Sequence, residues 1–94
     1  MISILWISGD NCPACDKLRK TLKEVQEEFP DVKITECTVN QLGKITLDKM
    51  NIPFVPFIIF KLNDTEVKRM YGSQPLNTIL AVLDCMTILA NIGV

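Results

Sequence analysis

Two cysteines separated by two residues, Cys12 and Cys15, are the residues of this chain whose spacing predicts chemistry. They lie between a short apolar run and an amphipathic stretch, so we expect them where a strand leads into a helix. At the start of a helix, unpaired backbone N–H groups and the helix dipole stabilise a thiolate, which is the nucleophile of disulfide exchange. A second cysteine one turn further along is close enough to resolve a mixed disulfide.

Two other interpretations of the cysteine pair are a structural disulfide and half of a metal site. A Cys12–Cys15 bond closes a very short loop, so it constrains the unfolded chain little and suits reversible chemistry. A metal site needs two more ligands, and the other two cysteines, Cys37 and Cys85, are predicted in a strand and in a distant helix. We expect both to be packed or half-exposed rather than regulatory thiols. We therefore favour redox chemistry and predict no metal and no cofactor.

The composition limits the class of protein. A length of 94 residues predicts a single domain, residues 1–94. An apolar content of 48% is enough to form a core that does not need disulfide bonds to stabilise it. A net charge of −1 gives no support to nucleic-acid binding, and the absence of histidine excludes Cys–His and Ser–His catalysis. Two spare thiols, and an N-terminal apolar run too short for a signal peptide, predict a cytoplasmic protein.

Hydrophobic periodicity and turn residues predict the order β-α-β-α-β-β-α. Two βα units followed by a close β-β connection favour an α/β fold with a four-stranded mixed sheet flanked by three helices. The basic residues of the first helix, Arg19 among them, are predicted to be a solvated face. The predicted strands are Met1–Ser8, Val32–Val39, Pro53–Lys61 and Glu66–Tyr71; the predicted helices run from Cys12 or Pro13 to Pro30, from Ile45 (or Gln41) to Met50, and from Pro75 to Ala90.

With these elements in place, the chain resembles the thioredoxin/glutaredoxin family over nearly its whole length. Three motifs carry the resemblance: Cys12-Pro13-Ala14-Cys15 after the first strand, Val55-Pro56 at the third, and Gly72 after the fourth. The resemblance implies a thioredoxin-like fold, with Cys12 as nucleophile, Cys15 as resolving thiol, and Pro13 and Ala14 completing the catalytic motif.

The resemblance also implies a substrate-binding surface around the cysteine pair. The proline at the Pro56 position is cis in the family and faces the cysteines, and the residue before it, here Val55, offers its backbone to an extended substrate. Pro53 is the rival for the cis position, but Pro56 leads directly into the apolar strand. Asn11 and Gly72 are the remaining substrate-binding residues that the resemblance implies.

Some residues depart from the family pattern. A Pro-x pair between the cysteines resembles glutaredoxins, whereas Gly72 followed by Ser73 is more similar to thioredoxins. Asn11 stands where thioredoxins usually have a tryptophan. Trp6 stands where thioredoxins have a buried aspartate that assists the resolving thiol, which leaves water or Asp10 to accept its proton.

The predicted function is reduction of protein disulfides, with a thioredoxin-reductase-like flavoprotein or glutathione as electron donor, and with no nucleic-acid or membrane partner. The expected state is a monomer, with a weak dimer as the alternative. The alternative function is a non-catalytic binding module that uses the apolar C-terminal helix, which is too short to span a membrane. In that helix Leu76, Leu80 and Leu83 are predicted to be buried, and Val82, Leu89 and Ile92 to leave an exposed surface.

Overall fold

The computed structural model describes residues 1–92, so the predicted domain end at residue 94 lies outside the described part of the chain. The predicted order β-α-β-α-β-β-α is confirmed. The elements are β1 (Ile2–Ser8), α1 (Pro13–Glu28), β2 (Lys33–Thr38), α2 (Val39–Lys49), β3 (Phe57–Leu62), β4 (Thr65–Tyr71) and α3 (Leu76–Asn91).

The strands form one mixed sheet in the order β2-β1-β3-β4. Strand β1 pairs in parallel with β2 and antiparallel with β3, and β3 and β4 form an antiparallel hairpin. The hairpin turns at Asn63 and Asp64, whose φ angles are 50° and 67°. Asn and Asp are the non-glycine residues that best tolerate this left-handed backbone, which explains the tight turn.

The core has two parts, one on each face of the sheet, because successive strand residues point to opposite faces. The larger part joins the sheet to α1 and α3, and Ile4 and Trp6 of β1 belong to it. The smaller part lies beneath α2 and contains Ile7, Ile52, Phe57 and Ile59. Helix α1 buries the face expected from its spacing, which consists of Cys15, Leu18, Leu22 and Val25.

Helix α2 begins earlier than predicted, at Val39 rather than at Gln41 or Ile45. Thr38 and Gln41 form a capping box, in which the Thr38 hydroxyl accepts from the Gln41 N–H at 3.1 Å and the Gln41 side chain accepts from the Thr38 N–H at 2.8 Å. This cap ends strand β2 at Thr38 and stabilises the first turn of the helix. Gly43, with φ 78° and ψ 161°, then kinks the helix, which buries no residue completely.

Strand β3 begins at Phe57 and not at Pro53 as predicted. Pro53 and Pro56 have no N–H group to donate to a ladder, so the segment that contains them runs as an irregular loop into the strand.

Helix α3 packs against the sheet through a narrower face than predicted. Leu83 is buried together with Ile79 and Met86, whereas Leu76 and Leu80 are only half-buried at the margin of the core. Cys85, which was expected to be packed or half-exposed, is exposed on α3. Among residues 1–92 we find no helix with the length and apolarity required to cross a lipid bilayer.

Candidate active site

The cysteine pair lies at the junction of β1 and α1. Cys12 is the N-cap of α1, with extended backbone (φ −121°, ψ 92°), and Pro13 follows as the first helical residue. The Cys12 sulfur accepts a hydrogen bond from the Cys15 N–H at 3.0 Å, so it takes the place that a side-chain oxygen takes in most N-caps. Asn11, with a φ of 50°, lies in the turn that leads from β1 into α1.

Cys12 and Cys15 are joined by a disulfide, and their Cα atoms are 5.1 Å apart. The two sulfur-bearing residues have different environments. Cys15 is 1% exposed and belongs to the core beside the sheet, whereas Cys12 is half-buried at its margin. Pro13 is exposed and Ala14 is half-buried. An incoming sulfur atom therefore meets Cys12 first, and Cys15 can be reached mainly from Cys12.

The loop before β3 carries a cis peptide bond between Val55 and Pro56. Val55 is half-buried and Pro56 is buried. Val55 lies against the segment that leads from β1 to the cysteines, since a Cβ atom placed on Gly9 would be 3.0 Å from the Val55 Cγ2. Val55 and Cys12 also pack against the same part of the core. The cis loop and the approach to Cys12 are therefore neighbours.

Gly72 connects the loop that follows β4 to the site. Its N–H donates to the Pro56 carbonyl at 2.9 Å, and its φ of 79° is a conformation that glycine adopts without strain. The loop after β4 is therefore fixed to the cis loop. Three of the substrate-binding residues implied by the resemblance are directly connected: Val55 and Pro56 share the cis peptide bond, and Gly72 is hydrogen-bonded to Pro56. The fourth, Asn11, is next to Cys12 and is exposed.

A polar network that the sequence did not reveal lies one helical turn beyond Cys15. The Arg19 guanidinium donates from Nε and Nη2 to the Glu36 carboxylate at 2.9 and 2.7 Å, and from Nη1 to Asp16 at 2.9 Å. The buried Ser8 hydroxyl donates to the same Glu36 carboxylate at 2.6 Å. The guanidinium also lies over the Trp6 ring, 5.3 Å from its centroid. Arg19 is thus a paired cation whose side chain is still 40% exposed, rather than a freely solvated charge.

This network fixes the charge of Glu36. The two hydrogen bonds from Arg19, helped by that from Ser8, lower the pKa of the Glu36 carboxyl, although partial burial opposes them. In the parallel register Glu36 is the Cα partner of Trp6, the residue that stands at the position of the missing aspartate. The carboxylate on this part of the sheet is therefore held as an ion by Arg19. Asp10, the other acid considered at this end of β1, is exposed and accepts from the Asn40 amide at 3.2 Å.

This arrangement of dithiol, cis loop and sheet is found in a known protein family. The thioredoxin family model matches residues 3–85, which include the cysteine pair, the cis loop and most of α3. The chain belongs to the thioredoxin family. Thioredoxin f2 of Chlamydomonas reinhardtii superposes with a TM-score of 0.79 at 20% identity, covering 90% of this chain and 78% of the other. Thioredoxin-2 of the malaria parasite superposes with a TM-score of 0.81 at 16% identity, covering 89% and 82%.

A curated relative gives a more partial match to this thioredoxin-family protein. Uncharacterized protein 196R of Invertebrate iridescent virus 6 is 28% identical over 75 residues, which is 76% of this chain and 43% of the relative. The chain thus spans less than half the length of that relative.

The two cysteines outside the motif lie apart from the site of this thioredoxin-family protein. Cys37 is half-buried on β2 and packs beneath α2, whereas Cys85 is exposed on α3. Residues 1–92 contain no group of three or more His, Cys, Asp or Glu side chains arranged to hold a metal ion. One residue in the sequence indicated the Arg19 network, namely Ser8, which is polar and lies at the end of the apolar strand β1. Its partner Glu36 could not be predicted, because the register between β1 and β2 brings the two residues together.

Proposed function

We propose that this protein is a thiol–disulfide oxidoreductase that reduces disulfides in other proteins through Cys12 and Cys15. One observation carries the proposal: the two cysteines form a disulfide at the start of α1, where Cys12 is accessible and hydrogen-bonded to a backbone N–H and Cys15 is in the core. The N–H group and the helix N-terminus stabilise negative charge on the Cys12 sulfur when the pair is reduced.

The reaction proceeds by two exchanges of disulfide bonds. The Cys12 thiolate attacks one sulfur of the substrate disulfide, forming a mixed disulfide and releasing the other substrate sulfur as a thiolate, which takes up a proton. Cys15 loses its proton to water and attacks the Cys12 sulfur. The Cys12–Cys15 disulfide forms, the mixed disulfide breaks, and the second substrate thiol leaves. Two electrons pass from the dithiol to the substrate.

The segments around the dithiol provide the substrate-binding surface. Val55 and the cis Pro56 present an ordered loop beside the approach to Cys12, and Gly72 anchors that loop to β4 through its hydrogen bond to Pro56. Asn11 is exposed next to Cys12. A thioredoxin-reductase-like flavoprotein or glutathione would return two electrons to the disulfide, and a reducing, cytoplasmic setting fits this cycle.

The test uses four single variants and a protein substrate with an accessible disulfide. We expect Cys12→Ser to abolish reduction, since the nucleophile is lost. We expect Cys15→Ser to accumulate a covalent adduct with the substrate, detected by mass spectrometry, since attack occurs without resolution. Cys37→Ser and Cys85→Ser are the matched controls and should keep wild-type rates. Wild-type activity in the Cys12 variant would refute the mechanism. Supplying either electron donor in turn identifies the reductant.

A second function, that of a binding module, is favoured by the surface of α3. An apolar groove of ≈ 650 Å³ lies between β4 and α3, with Met70, Val82 and Leu89 in its lining. Beyond the groove Ile88 and Ile92 are 61% and 67% exposed. Apolar surface of this kind is a feature of interaction sites. Partner binding that persists in a Cys12→Ser, Cys15→Ser double variant would support this function, and loss of binding would support the redox function.

A further inference from the structure

Helix α3 carries a second apolar stripe in addition to the face that it buries against the sheet. The buried face consists of Ile79, Leu83 and Met86. The second stripe is exposed along its whole length, and Ile88 and Ile92 are 61% and 67% exposed. We name it the outer stripe, and it consists of Ala81, Cys85, Ile88 and Ile92. Apolar surface left outside a core is a feature of interaction sites.

The spacing of the outer stripe is that of a helix–helix seam. Its residues are four, three and four positions apart, which is the alternation of the a and d positions of a heptad. A helix turns by about 100° per residue, so these positions share one side of α3, and that side is nearly opposite to the one that faces the sheet. The stripe therefore offers an apolar seam to a second helix and not to the body of its own domain.

The two flanks of the outer stripe differ in charge. On one flank lies Asp84, the only charged residue of α3. On the other flank Val82 and Leu89 lead into the groove between α3 and β4, and Lys68 is the only charged residue among the described residues that line this groove. Within residues 1–92 neither Asp84 nor Lys68 makes an ion pair. One flank thus carries an exposed carboxylate and the other an exposed ammonium group.

This charge pattern complements itself when two copies of the chain pair in parallel. In a parallel pair of helices the flanks meet crosswise, so the Asp84 flank of each copy faces the Lys68 flank of the other. In an antiparallel pair like flanks meet, and carboxylate would face carboxylate. The flanking charges therefore favour a second copy of this chain in the parallel orientation, related to the first by a two-fold axis along α3.

The outer stripe lies away from the dithiol. The C-terminal part of α3 is beside the start of β1, since Ala90 lines a cavity together with Ile2. Cys12 follows the opposite end of β1. Pairing through Ile88 and Ile92 therefore takes place at the end of the domain remote from the dithiol and leaves Cys12 accessible.

We propose that the outer stripe binds the outer stripe of a second copy of this chain, and that the two α3 helices form a short parallel seam. Each residue of the seam then lies next to its own counterpart across the two-fold axis. The seam is only about two heptads long, so the dimer is weak and exchanges with the monomer. The dimer uses no residue of the candidate active site, so it is independent of the proposed reductase function.

The first test is sedimentation of the reduced full chain over a concentration series. We expect the wild type to shift from monomer to dimer as its concentration rises, and Ile88→Ser to weaken dimerisation by roughly tenfold or more. Ile45→Ser is the matched control, because Ile45 is 73% exposed on α2, which packs on the other face of the sheet. This control should dimerise like the wild type. Both variants should reduce a protein disulfide at the wild-type rate.

An exchange of charges tests the orientation of the two helices. Asp84→Lys and Lys68→Asp each place like charges across the seam. Each should weaken dimerisation by about three- to tenfold, since the two-fold symmetry repeats the contact. The double variant restores opposite charges across the seam and should dimerise nearly as well as the wild type.

Disulfide crosslinking tests which residues meet. The background variant lacks the other three thiols through Cys12→Ser, Cys15→Ser and Cys37→Ser. Diamide, which takes two electrons and two protons from a pair of thiols, should then join Cys85 to its counterpart, because their Cα atoms lie within the reach of a disulfide, about 4.4–6.8 Å. Ala81→Cys and Ile88→Cys, each combined with Cys85→Ser, should crosslink as well. Ile45→Cys combined with Cys85→Ser is the control and should not.

The outcomes separate the dimer from the reductase function. A wild type that stays monomeric at the highest concentration overturns the dimer and leaves the reductase function standing. If that monomer binds anilinonaphthalene sulfonate and Leu89→Ser removes the binding, the surface belongs to a different apolar ligand. Dimerisation that Ile88→Ser weakens no more than Ile45→Ser overturns the seam, and so does crosslinking at only one of the three seam positions, which indicates an antiparallel pair. A wild type that dimerises as expected but reduces no protein disulfide overturns only the reductase function.

Discussion

The ion pair between Arg19 and Glu36 gives a prediction about stability that the sequence did not contain. Glu36→Gln keeps one oxygen, which can accept from the Ser8 hydroxyl and from Arg19 Nη2, but it replaces the oxygen that accepts from Arg19 Nε with an NH2 group. The variant therefore removes the negative charge and one of the two Arg19 hydrogen bonds while Ser8 keeps its partner. Removing the acceptor altogether, as in Glu36→Leu, would also leave the buried Ser8 hydroxyl without a partner.

The expected loss follows from the geometry. A hydrogen bond to a charged group contributes about 1.5–3 kcal/mol, and Arg19 makes two to Glu36 at 2.9 and 2.7 Å. The side chains of Arg19 and Glu36 are 40% and 30% exposed, so solvent screens much of this interaction. We expect Glu36→Gln to lose about 1 kcal/mol of unfolding free energy at neutral pH. Glu36→Leu should lose about 1–3 kcal/mol more, the cost of the unsatisfied hydroxyl.

The pH dependence has a definite sign. The pKa of Glu36 in the folded protein is below its ordinary value of 4.5, so folding favours the ionised form. The stabilisation is complete above the unfolded pKa and is lost as pH falls through the folded pKa. The difference between wild type and Glu36→Gln, measured by urea unfolding from pH 7 down to pH 2, should therefore shrink below about pH 4.5. The pKa of Glu66 is also lowered, but Glu66 is present in both proteins, so its contribution cancels in the difference between their unfolding free energies.

Glu24→Gln is the matched control, because Glu24 is an exposed residue of α1 that makes no ion pair within residues 1–92. It should change the unfolding free energy by less than about 0.5 kcal/mol at every pH. The electrostatic reasoning would be refuted if the difference in unfolding free energy between wild type and Glu36→Gln stayed constant between pH 7 and pH 2. It would also be refuted if that difference were no larger than the difference between wild type and Glu24→Gln.

Three further predictions concern packing. Leu83→Ala should lose about 2–5 kcal/mol in urea unfolding, because Leu83 is fully buried and truncation leaves a cavity. Ile92→Ser should change stability by less than about 0.5 kcal/mol but abolish any concentration-dependent sedimentation, and a large stability loss would place Ile92 in the core. Gly9→Ala should cost about 1–3 kcal/mol because its Cβ would lie 3.0 Å from Val55 Cγ2; adding Val55→Ala should restore part of that loss.

Much of the fold follows from the pattern of the sequence. Strand β1 is an apolar run because it has neighbours on both sides and helices on both faces. The buried face of α1 follows from helical spacing, and the hairpin turn follows from Asn63 and Asp64. The position of Cys12 at the helix start could be predicted because Pro13 favours the first helical position.

Other features depend on information that local patterns lack. The alternating pattern continues from β2 into Val39, so it did not show that the Thr38 capping box ends the strand. The Arg19–Glu36 pair requires the register between β1 and β2. The edge-to-face contact between the Phe54 and Tyr71 rings joins segments that lie apart in the sequence. Half-burial of Leu76 and Leu80 depends on the angle at which α3 meets the sheet, which periodicity does not give.

The unequal anchoring of the helices has a consequence for hydrogen exchange. Helix α2 buries no residue fully and is interrupted at Gly43, whereas α1 buries four residues, Cys15 among them. Local opening costs least where few apolar groups are buried, so the α2 amides should exchange through local opening well before those of α1. The two helices pack on opposite faces of the sheet. The first turn of α2 contacts the loop before Cys12 through the hydrogen bond from Asn40 to Asp10, but the part of α2 beyond Gly43 belongs to the core on the other face of the sheet. That part can therefore open while the cysteine geometry stays intact.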